Sequence, residues 1–399
     1  MSVNIPDKGR IFAKKSSFYP SSCVTEILLA LLGIFVFIQL FYYLFVFSKL
    51  MRHDPPTAAY AGAPEGVSVL VCAWNELENL RELLPLLNAQ EYPLFEIVVL
   101  DDRSQDGTED FLKEHADQWR HVRFIRIDKE FPHITAKKYA LTVGMKHARY
   151  PLALMTDADC RPIGTDWIAS MVGQLGPDKE IVLGFSPYYK EKGLLNWFIR
   201  CETFYTAIQY LSLARAGWPY MGVGRNLMYR TRLFFEHKGF YQHKHILGGD
   251  DDLFMNQAAT RTNTSINLDP ESFVYSIPKT TWSDWLRQKR RHLSVGNYYQ
   301  RGNKLRLGLL SGSHTGTWFV GIATLLWGLF SHDTLLLQIL GAVFALRWLV
   351  QLIVLGGINS RLDRTVNWLS FIGMDIAFFI YYVGMSGLIL SRKKKVLWR

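Results

Sequence analysis

Strands and helices alternate along the segment from Val67 to Cys160, and this alternation is the feature that most restricts the fold. Short runs rich in β-branched and apolar residues are typical of buried strands, and leucine-rich or alanine-rich stretches between them are typical of helices. The order predicts an α/β fold with a mostly parallel sheet and helices on both faces. The predicted strands lie at 67–72, 95–100, 122–127 and 152–155, and the predicted helices at 77–87 and 136–148.

Three of these predicted strands are followed by acidic residues, namely Glu76, Asp101 with Asp102, and Asp157 with Asp159. The carboxyl ends of parallel strands meet at one edge of a sheet, so we expect these acids to share a cleft. Two carboxylates one residue apart repel each other unless a cation or a polar ligand lies between them. Oxygen ligands without neighbouring His or Cys favour Mg²⁺ or Mn²⁺ over Zn²⁺.

A second acidic cluster runs from Gly248 to Asp252 and contains three consecutive aspartates. Three carboxylates cannot all be ionised cheaply in a low-dielectric cleft, so one of them should have a raised pKa unless a cation is near. A carboxylate in such a place suits a general base that deprotonates a hydroxyl. The alternative is a solvated acidic turn. Asp106, before Gly107 and Thr108, is expected to cap a helix instead.

Apolar segments at both ends of the chain indicate a membrane protein. Ile27 to Phe47 is an uncharged run of roughly 21 residues, long enough to span a bilayer. Three further apolar segments lie in the last third of the chain, at Trp318–Phe330, Leu335–Leu355 and Val366–Leu390, and the first of them is short for a span.

Two charged residues interrupt the later apolar segments. Arg347 and Asp375 have opposite charges and similar depth if the two segments form an antiparallel hairpin that turns at Asn359 to Arg364. Charges inside hydrocarbon are costly and usually paired, so we expect an ion pair between them. The alternative is that Arg347 alone extends to the membrane surface.

The basic residues follow the apolar segments. The formal charge is +10, with Lys14, Lys15, Lys49, Arg52 and 392–395 beside those segments. This distribution favours anionic lipid headgroups over nucleic acid as the partner. The four cysteines are scattered without the spacing of a metal site, which fits a reducing compartment.

Six stretches in a fixed order resemble the family 2 inverting glycosyltransferases, which have the Rossmann-like GT-A fold. The stretches are VSVLVCAWNE, EIVVLDDRSQDGT, Lys137-Lys138 with Ala140-Leu141, TDADC, GGDDDLF and QKRRH, and they cover about residues 65 to 300. Two positions depart from the family pattern: Gly249 stands where an acid is often found, and His292 replaces the usual tryptophan beside the acceptor sugar.

The resemblance implies a role for each matching residue. Asp250 would be the catalytic base, with Asp251 as the second choice, and Asp159 would ligate Mg²⁺ or Mn²⁺. Asp102 would hydrogen-bond the base, most often uracil, and Asp157 would face the ribose and diphosphate. Nucleotide-sugar binding would involve Cys72, Trp74, Glu76, Asp102, Lys137 and Asp157, and diphosphate or acceptor contacts would involve Gln288, Arg291 and His292.

The implied function is transfer of a hexose from a nucleotide diphosphate sugar, UDP-linked by expectation, to a hydroxyl of a lipid or lipid-linked glycan in cell-surface glycan synthesis. A polyprenyl phosphate acceptor and a processive polysaccharide synthase are the alternatives within enzymes. A non-catalytic membrane scaffold that binds nucleotide sugars is the alternative of another class. No nucleic-acid partner is expected.

The implied organisation is a catalytic domain held in a bacterial inner membrane, on the cytosolic side where nucleotide sugars occur. Three later crossings would put 392–395 outside, against the positive-inside tendency, so we expect Trp318–Phe330 to lie in or re-enter the interface. The expected segments are a polar basic start (1–24), a transmembrane helix (25–48), a linker (49–66), a GT-A domain with interfacial helices (67–305), a membrane region with two or three spans (306–391) and a basic tail (392–399).

Overall fold

The computed structural model describes residues 20–53, 64–115, 118–362 and 364–390. The predicted basic tail at 392–399 lies outside the described residues, as do most of the polar start and much of the linker. The first helix begins at Pro20, before the predicted boundary, and the helical path continues to Met51.

The elements follow the predicted alternation in the first half of the domain. The strands are β1 (Val67–Ala73), β2 (Phe95–Asp102), β3 (Val122–Ile127), β4 (Leu152–Asp157), β5 (Cys160–Pro162), β6 (Ile181–Leu183), β7 (Leu227–Arg230), β8 (Thr264–Ile266) and β9 (Val274–Ser276). The helices are α1 (Pro20–Phe41), α2 (Ser48–Met51), α3 (Leu77–Asn88), α4 (Thr108–His115), α5 (Ala136–His147), α6 (Trp167–Gly173), α7 (Leu194–Arg215), α8 (Thr231–Glu236), α9 (Asp252–Ala258), α10 (Trp282–Val295), α11 (Arg301–Phe330), α12 (Thr334–Arg361) and α13 (Ser370–Leu390). A π-helical segment, Tyr42–Phe47, joins α1 to α2.

A seven-stranded sheet in the order β3-β2-β1-β4-β7-β6-β8 forms the centre of the domain. The first four strands are parallel to one another, as predicted. The strands β6 and β8 are antiparallel to β7, which itself runs antiparallel to β4. A separate pair, β5 with β9, extends the chain beyond the end of β4. The expected α/β fold with a mostly parallel sheet is confirmed.

Alternate residues of each central strand enter two different cores, because successive side chains of a strand point to opposite faces. On one face, Val69 of β1 and Ile97 of β2 pack with leucines of α3 and with α6. On the other face, Leu70 and Val98 pack with α5 and α7, and this core continues into the membrane helices as far as Ile358. Helices therefore cover both faces, and one core joins the sheet to the membrane region.

The helix α7 carries the contact between the domain and the membrane helices. Its aromatic stripe is buried, and Tyr205 and Phe204 pack on Phe378 and Phe371 of α13 with ring centroids 5.0 and 6.0 Å apart. The stripe is therefore core packing. This packing sets the distance between the sheet and the helices α12 and α13.

Three helical stretches among the described residues are long and apolar enough to cross a membrane. They are Cys23–Met51 and Thr334–Arg361, which contain the predicted runs Ile27–Phe47 and Leu335–Leu355, and Ser370–Gly387, which lies inside the predicted run Val366–Leu390. The helix α11 is not among them by composition, although it is 30 residues long.

The segment Trp318–Phe330, which is predicted to lie in or re-enter the interface, is the second part of α11 and runs antiparallel along α1. Near one end, the indole nitrogen of Trp327 donates to the Thr25 hydroxyl over 3.1 Å. Near the other end, the Tyr42 hydroxyl donates to the Arg306 carbonyl oxygen over 2.7 Å. The two helices therefore lie side by side, and since α11 is not apolar enough to count as a span, its place in the interface stays a prediction.

The composition of α11 explains why the apolar pattern underestimated its length. The residues that it buries are mostly small or polar, which lowers mean hydropathy but lets helices approach closely. The buried positions include Ser313, Thr317, Gly321, Thr324 and Gly328.

The expected ion pair between Arg347 and Asp375 is confirmed. The guanidinium donates twice to the carboxylate, over 2.7 and 2.5 Å, and both side chains are almost fully buried. The Asp375 carboxylate also accepts from Trp318, Trp348 and Gln351 over 3.1 to 3.2 Å. These partners come from α11 and α12, and Asp375 itself belongs to α13, so one carboxylate joins three helices.

We predict that breaking this pair from one side destabilises the membrane region. R347M or D375N alone should lower the free energy of unfolding by about 3 kcal/mol, because each leaves a buried group without its charged partner. The R347M/D375N double variant should lose less than the sum of the two single variants. Thermal unfolding in detergent measures this, with the exposed Arg301→Met as control. Additive losses would contradict the coupling.

Candidate active site

The carboxyl edge of the sheet brings the predicted acids together through strand register. Cys72 at the end of β1 pairs with Asp157 of β4 on one side and with Leu100 of β2 on the other. The next residue, Ala73, pairs with Asp101. The three strands therefore end at the same level, as the topology predicts.

Hydrogen bonds connect the loop after β1 to the loop after β2. The Asp106 carboxylate accepts from the backbone N–H of Thr108 and from that of Leu77, over 3.1 and 3.0 Å. It therefore caps the starts of both α4 and α3, and the prediction that Asp106 is a cap is confirmed. The Asn75 N–H donates to the Ser104 hydroxyl over 2.8 Å. These bonds fix the path of the residues around Glu76.

Lys137 connects the two acidic clusters at this edge. It lies in the first turn of α5, and its ammonium contacts Asp157 Oδ1 at 2.8 Å and Asp250 Oδ2 at 3.2 Å. These three residues line a single cleft together with Cys72 and Asp251, among others. Asp157 and Asp250 are 93 positions apart in sequence, and both contact the same lysine ammonium.

The charges in this cleft move the pKa values of its acids apart. Burial alone would raise the pKa of Asp250, but the Lys137 ammonium lowers it below its usual value. Burial and then the Asp250 charge raise the pKa of Asp251. Burial would lower the pKa of Lys137 itself, but Asp157 and Asp250 hold it well above the usual range. Asp250 is therefore the more readily ionised member of this pair.

The other two aspartates of the cluster have structural partners. The Asp251 carboxylate accepts from the N–H of Gly224 and from that of Asp252, over 2.7 and 2.8 Å, and so begins α9. Asp252 accepts from the Tyr299 hydroxyl over 2.8 Å. Burial and the Asp251 charge raise the pKa of Asp252 well above its usual value. Of the three aspartates, Asp250 is the one whose carboxylate contacts a lysine, Lys137, in the cleft.

The geometry of the backbone explains why Gly249 stands where the family often has an acid. Gly248 and Gly249 have φ values of +81° and +72°, a region that residues with a Cβ rarely adopt. A Cβ on Gly249 would also lie 2.7 Å from Leu253 and 3.0 Å from Val295. The close contact with α10 therefore excludes a side chain here.

The helix α10 brings the QKRRH motif over the acidic cluster. Val295 packs with Ile246 and Leu253 in a small core, and the Arg291 side chain lies beside Gly248. Gln288 and His292 lie within one turn of Arg291, on neighbouring positions of the helix. Desolvation lowers the pKa of His292 well below its usual value, and the charges of Lys289 and Arg291 lower it further.

The residues predicted to bind the nucleoside lie at or just after the carboxyl ends of β1 and β2. Cys72 lines the cleft, and burial raises its pKa. Trp74 is 41% exposed at the surface, where a ring can stack. Burial, and then the charges of Asp159 and Asp157, raise the pKa of Glu76. Asp102 is paired with the neighbouring Arg103 over 2.8 Å.

Asp159, the predicted metal ligand, follows the end of β4 and lies two residues from Asp157, and both are oxygen ligands of the kind that a divalent cation takes. Burial and then the Asp157 charge raise the pKa of Asp159, as expected where two carboxylates repel each other. Within the described residues, no three His, Cys, Asp or Glu side chains are arranged to hold a metal ion. One or two carboxylates are what Mg²⁺ requires when substrate phosphates and waters supply the other ligands.

Two residues near the cleft were not predicted. Lys138 is fully buried, and its ammonium donates to the carbonyl oxygens of His243 and Ile246 over 2.7 and 2.8 Å, just before the acidic cluster. Burial lowers its pKa to about 8. Arg225 follows the cleft residue Gly224. The sequence signals are the doubled lysine at 137–138 and the glycine-rich stretch GVGRNLMY at 222–229.

The fold is the GT-A fold, and the chain also carries helices apolar enough to span a membrane. The family model for glycosyl transferase family 2 matches residues 68–237, and that for glycosyl transferase family group 2 matches 168–385, more than half of the chain. The chain therefore belongs to the family 2 glycosyltransferases.

Three known proteins illustrate this similarity. The probable glycosyltransferase YdaM of Bacillus subtilis is 27% identical over 248 residues, 58% of this chain and 55% of YdaM. The poly-beta-1,6-N-acetyl-D-glucosamine synthase of Staphylococcus epidermidis is 30% identical over 122 residues, 30% of this chain and 27% of the synthase. The chain thus spans about half or less of these relatives. The mannosyltransferase PcManGT of Pyrobaculum calidifontis, solved with GDP-Man and Mn²⁺, has a TM-score of 0.57 at 20% identity, covering 85% of this chain and 98% of its own, and supports the fold.

We predict that K137M destabilises the domain in a pH-dependent way. The lowered pKa of Asp250 contributes stability at neutral pH that is lost as pH falls through that pKa. Without the ammonium, burial raises the pKa of Asp250, so the variant should lose about 2–4 kcal/mol at pH 7 and much less below about pH 4.

The measurement is thermal unfolding across this pH range, with K113M as the matched control. Lys113 pairs with Glu109 over 2.8 Å on the surface of α4, where an ion pair stabilises little. An equal deficit of K137M at both ends of the range would contradict the assignment.

Proposed function

We propose that this protein transfers a hexose from a nucleotide diphosphate sugar, with a UDP-sugar as the expected donor, to a hydroxyl of a lipid or lipid-linked glycan. The observation that carries the proposal is the convergence of Asp157, Lys137 and Asp250 in one cleft. Such a cleft offers a carboxylate for a proton, and charged groups for a departing diphosphate.

Asp250 is the proposed base. A base must be ionised before it reacts, and the Lys137 ammonium keeps Asp250 in that form. Asp251 is less suited, because both of its carboxylate oxygens already accept backbone hydrogen bonds. Asp250 would accept the proton of the acceptor hydroxyl as that oxygen attacks the anomeric carbon.

The leaving group is a nucleoside diphosphate, which takes the electron pair of the broken bond between the anomeric carbon and the phosphate oxygen. Asp159 is the proposed ligand for Mg²⁺ or Mn²⁺, which when bound would offset the charge of the diphosphate. The Lys137 ammonium, which contacts Asp157, would offset the charge of the same diphosphate. A single displacement of this kind inverts the anomeric configuration.

The arrangement of the domain on the membrane helices supports a lipid acceptor. One continuous core joins the sheet, α7 and the membrane helices, so the cleft has a fixed relation to the bilayer region. We propose that residues 67–305 are the catalytic domain on the cytosolic face of a bacterial inner membrane and that 306–391 are the membrane region. Gln288, Arg291 and His292 are the proposed contacts to diphosphate or acceptor.

A second candidate is a processive polysaccharide synthase. It is favoured by the 30% identity to a poly-beta-1,6-N-acetyl-D-glucosamine synthase, over a part that is 27% of that protein. His292, in place of the tryptophan, favours single addition instead. The length of the product distinguishes the two candidates, because a synthase would release polymers and a single-addition enzyme would not.

The first test measures release of nucleoside diphosphate by the detergent-solubilised protein, with Mn²⁺ or Mg²⁺ and a panel of UDP- and GDP-sugars, with and without membrane lipid. We expect release from one donor that lipid stimulates and that D159A or chelation abolishes. Nuclear magnetic resonance of the product should report inversion. Retention of configuration would refute the mechanism, and donor binding without turnover on any lipid would favour the scaffold.

A second test separates the neighbouring aspartates. D250N should lower turnover by about 10²–10⁴-fold, the range for loss of a general base, whereas D251N should lower it much less. Thermal unfolding checks that both variants fold. If D250N stays nearly as active as wild type, the acceptor is already anionic, as a polyprenyl phosphate is, and no base is needed.

A further inference from the structure

Arg225 lies on a loop that is held rigidly from both sides. The preceding residue, Gly224, donates its N–H to the Asp251 carboxylate over 2.7 Å. The following residue, Asn226, is completely buried, and its amide donates to the carbonyl oxygens of Phe185 and Ser272 over 2.8 and 2.7 Å. The position of Arg225 is therefore set by the fold.

The guanidinium of Arg225 is oriented but unpaired. It lies over the ring of Tyr188, 4.5 Å from the centroid. One terminal nitrogen is buried without a hydrogen-bond partner, and within the described residues no carboxylate forms an ion pair with Arg225. Buried guanidinium groups normally have such partners, so a donor that is fixed and unsatisfied is ready to bind an anion.

The strand pairing puts this donor close to Asp159. Tyr188 bridges to Ser276, which pairs with Cys160, and the N–H of Ile277 donates to the Asp159 carbonyl oxygen over 3.1 Å. Neighbouring strands lie about 4.8 Å apart, so the backbone of Tyr188, whose ring carries Arg225, lies about two strand widths from that of Cys160, the residue after Asp159. Burial would lower the pKa of Arg225, but nearby acidic groups that include Asp159 hold it above its usual value.

Arg225 directly follows Gly224, which lines the cleft and donates its N–H to Asp251, so its loop borders the acidic cluster. Lys289 is paired with Glu202. Arg225 has no such partner among the described residues, and its planar donors match the oxygens of a phosphate.

We propose that Arg225 binds a phosphate oxyanion in the cleft. This inference rests on the proposed function, because the phosphate belongs either to the nucleoside diphosphate or to a phosphate-bearing lipid acceptor. In the first case Arg225 contacts the terminal phosphate of the leaving group. In the second case it fixes the acceptor beside the sugar.

The experiment measures binding of UDP and UMP, and of GDP and GMP, by calorimetry to wild type, R225Q and R225K in the presence of Mn²⁺. If the phosphate belongs to the nucleotide-sugar donor, R225Q should weaken diphosphate binding by about ten- to hundredfold and leave monophosphate binding nearly unchanged. R225K keeps the charge but not the planar fork of donors, so its affinity for the diphosphate should lie between those of wild type and R225Q. If the phosphate belongs to the acceptor, R225Q binds the diphosphate as tightly as wild type does, but its KM for a lipid phosphate acceptor is higher.

R81Q is the matched control, since Arg81 also lies over an aromatic ring, at 5.7 Å from Phe111, but on α3 outside the cleft. Thermal unfolding checks the fold of each variant. Equal weakening of diphosphate and monophosphate, or no change in either binding or acceptor KM, would overturn the inference and leave the proposed function intact. Failure of wild type to bind any of the four nucleotides would overturn both.

Discussion

The contact of one ammonium with two carboxylates is the interaction on which the cleft depends. Lys137 lies 2.8 Å from Asp157 and 3.2 Å from Asp250, and so joins the end of a central strand to the loop before α9. Without that cation, acids gathered at one edge of a parallel sheet would repel each other in a place with little water. The same contact keeps Asp250 ionised, so the interaction that permits the fold also prepares the proposed base.

A second charged contact plays a comparable part in the membrane region. Arg347 and Asp375 are each too polar for hydrocarbon alone, and as a pair with three further donors they fix α11, α12 and α13 against one another. The core that begins at the sheet passes through α7 into these helices, so catalytic domain and membrane helices are packed as one body. A lipid acceptor would therefore meet the cleft at a fixed height, which suits an enzyme that works at the bilayer surface.

Much of the fold followed from local patterns. The parallel strands, the cap at Asp106 and the pairing of Arg347 with Asp375 were all predicted, because each depends on periodicity or on the cost of an isolated charge. The length of α11 was underestimated, because small polar residues on its buried face resemble a loop or a surface when only hydropathy is considered. Arg225 was missed because nothing in its local sequence distinguishes an unpaired arginine from a solvated one.

The sequence by itself determined the class of fold, the family and the acids that could share a cleft, since strand ends and motif order are local properties of the chain. Only the tertiary structure decided which groups within the cleft meet. The ionisation of Asp250 depends on a lysine 113 positions away, and the glycine at 249 depends on contact with α10. Such relations arise from distance in space, and no pattern along the chain encodes them. For the same reason, the chemistry of individual carboxylates became visible only when their neighbours were known.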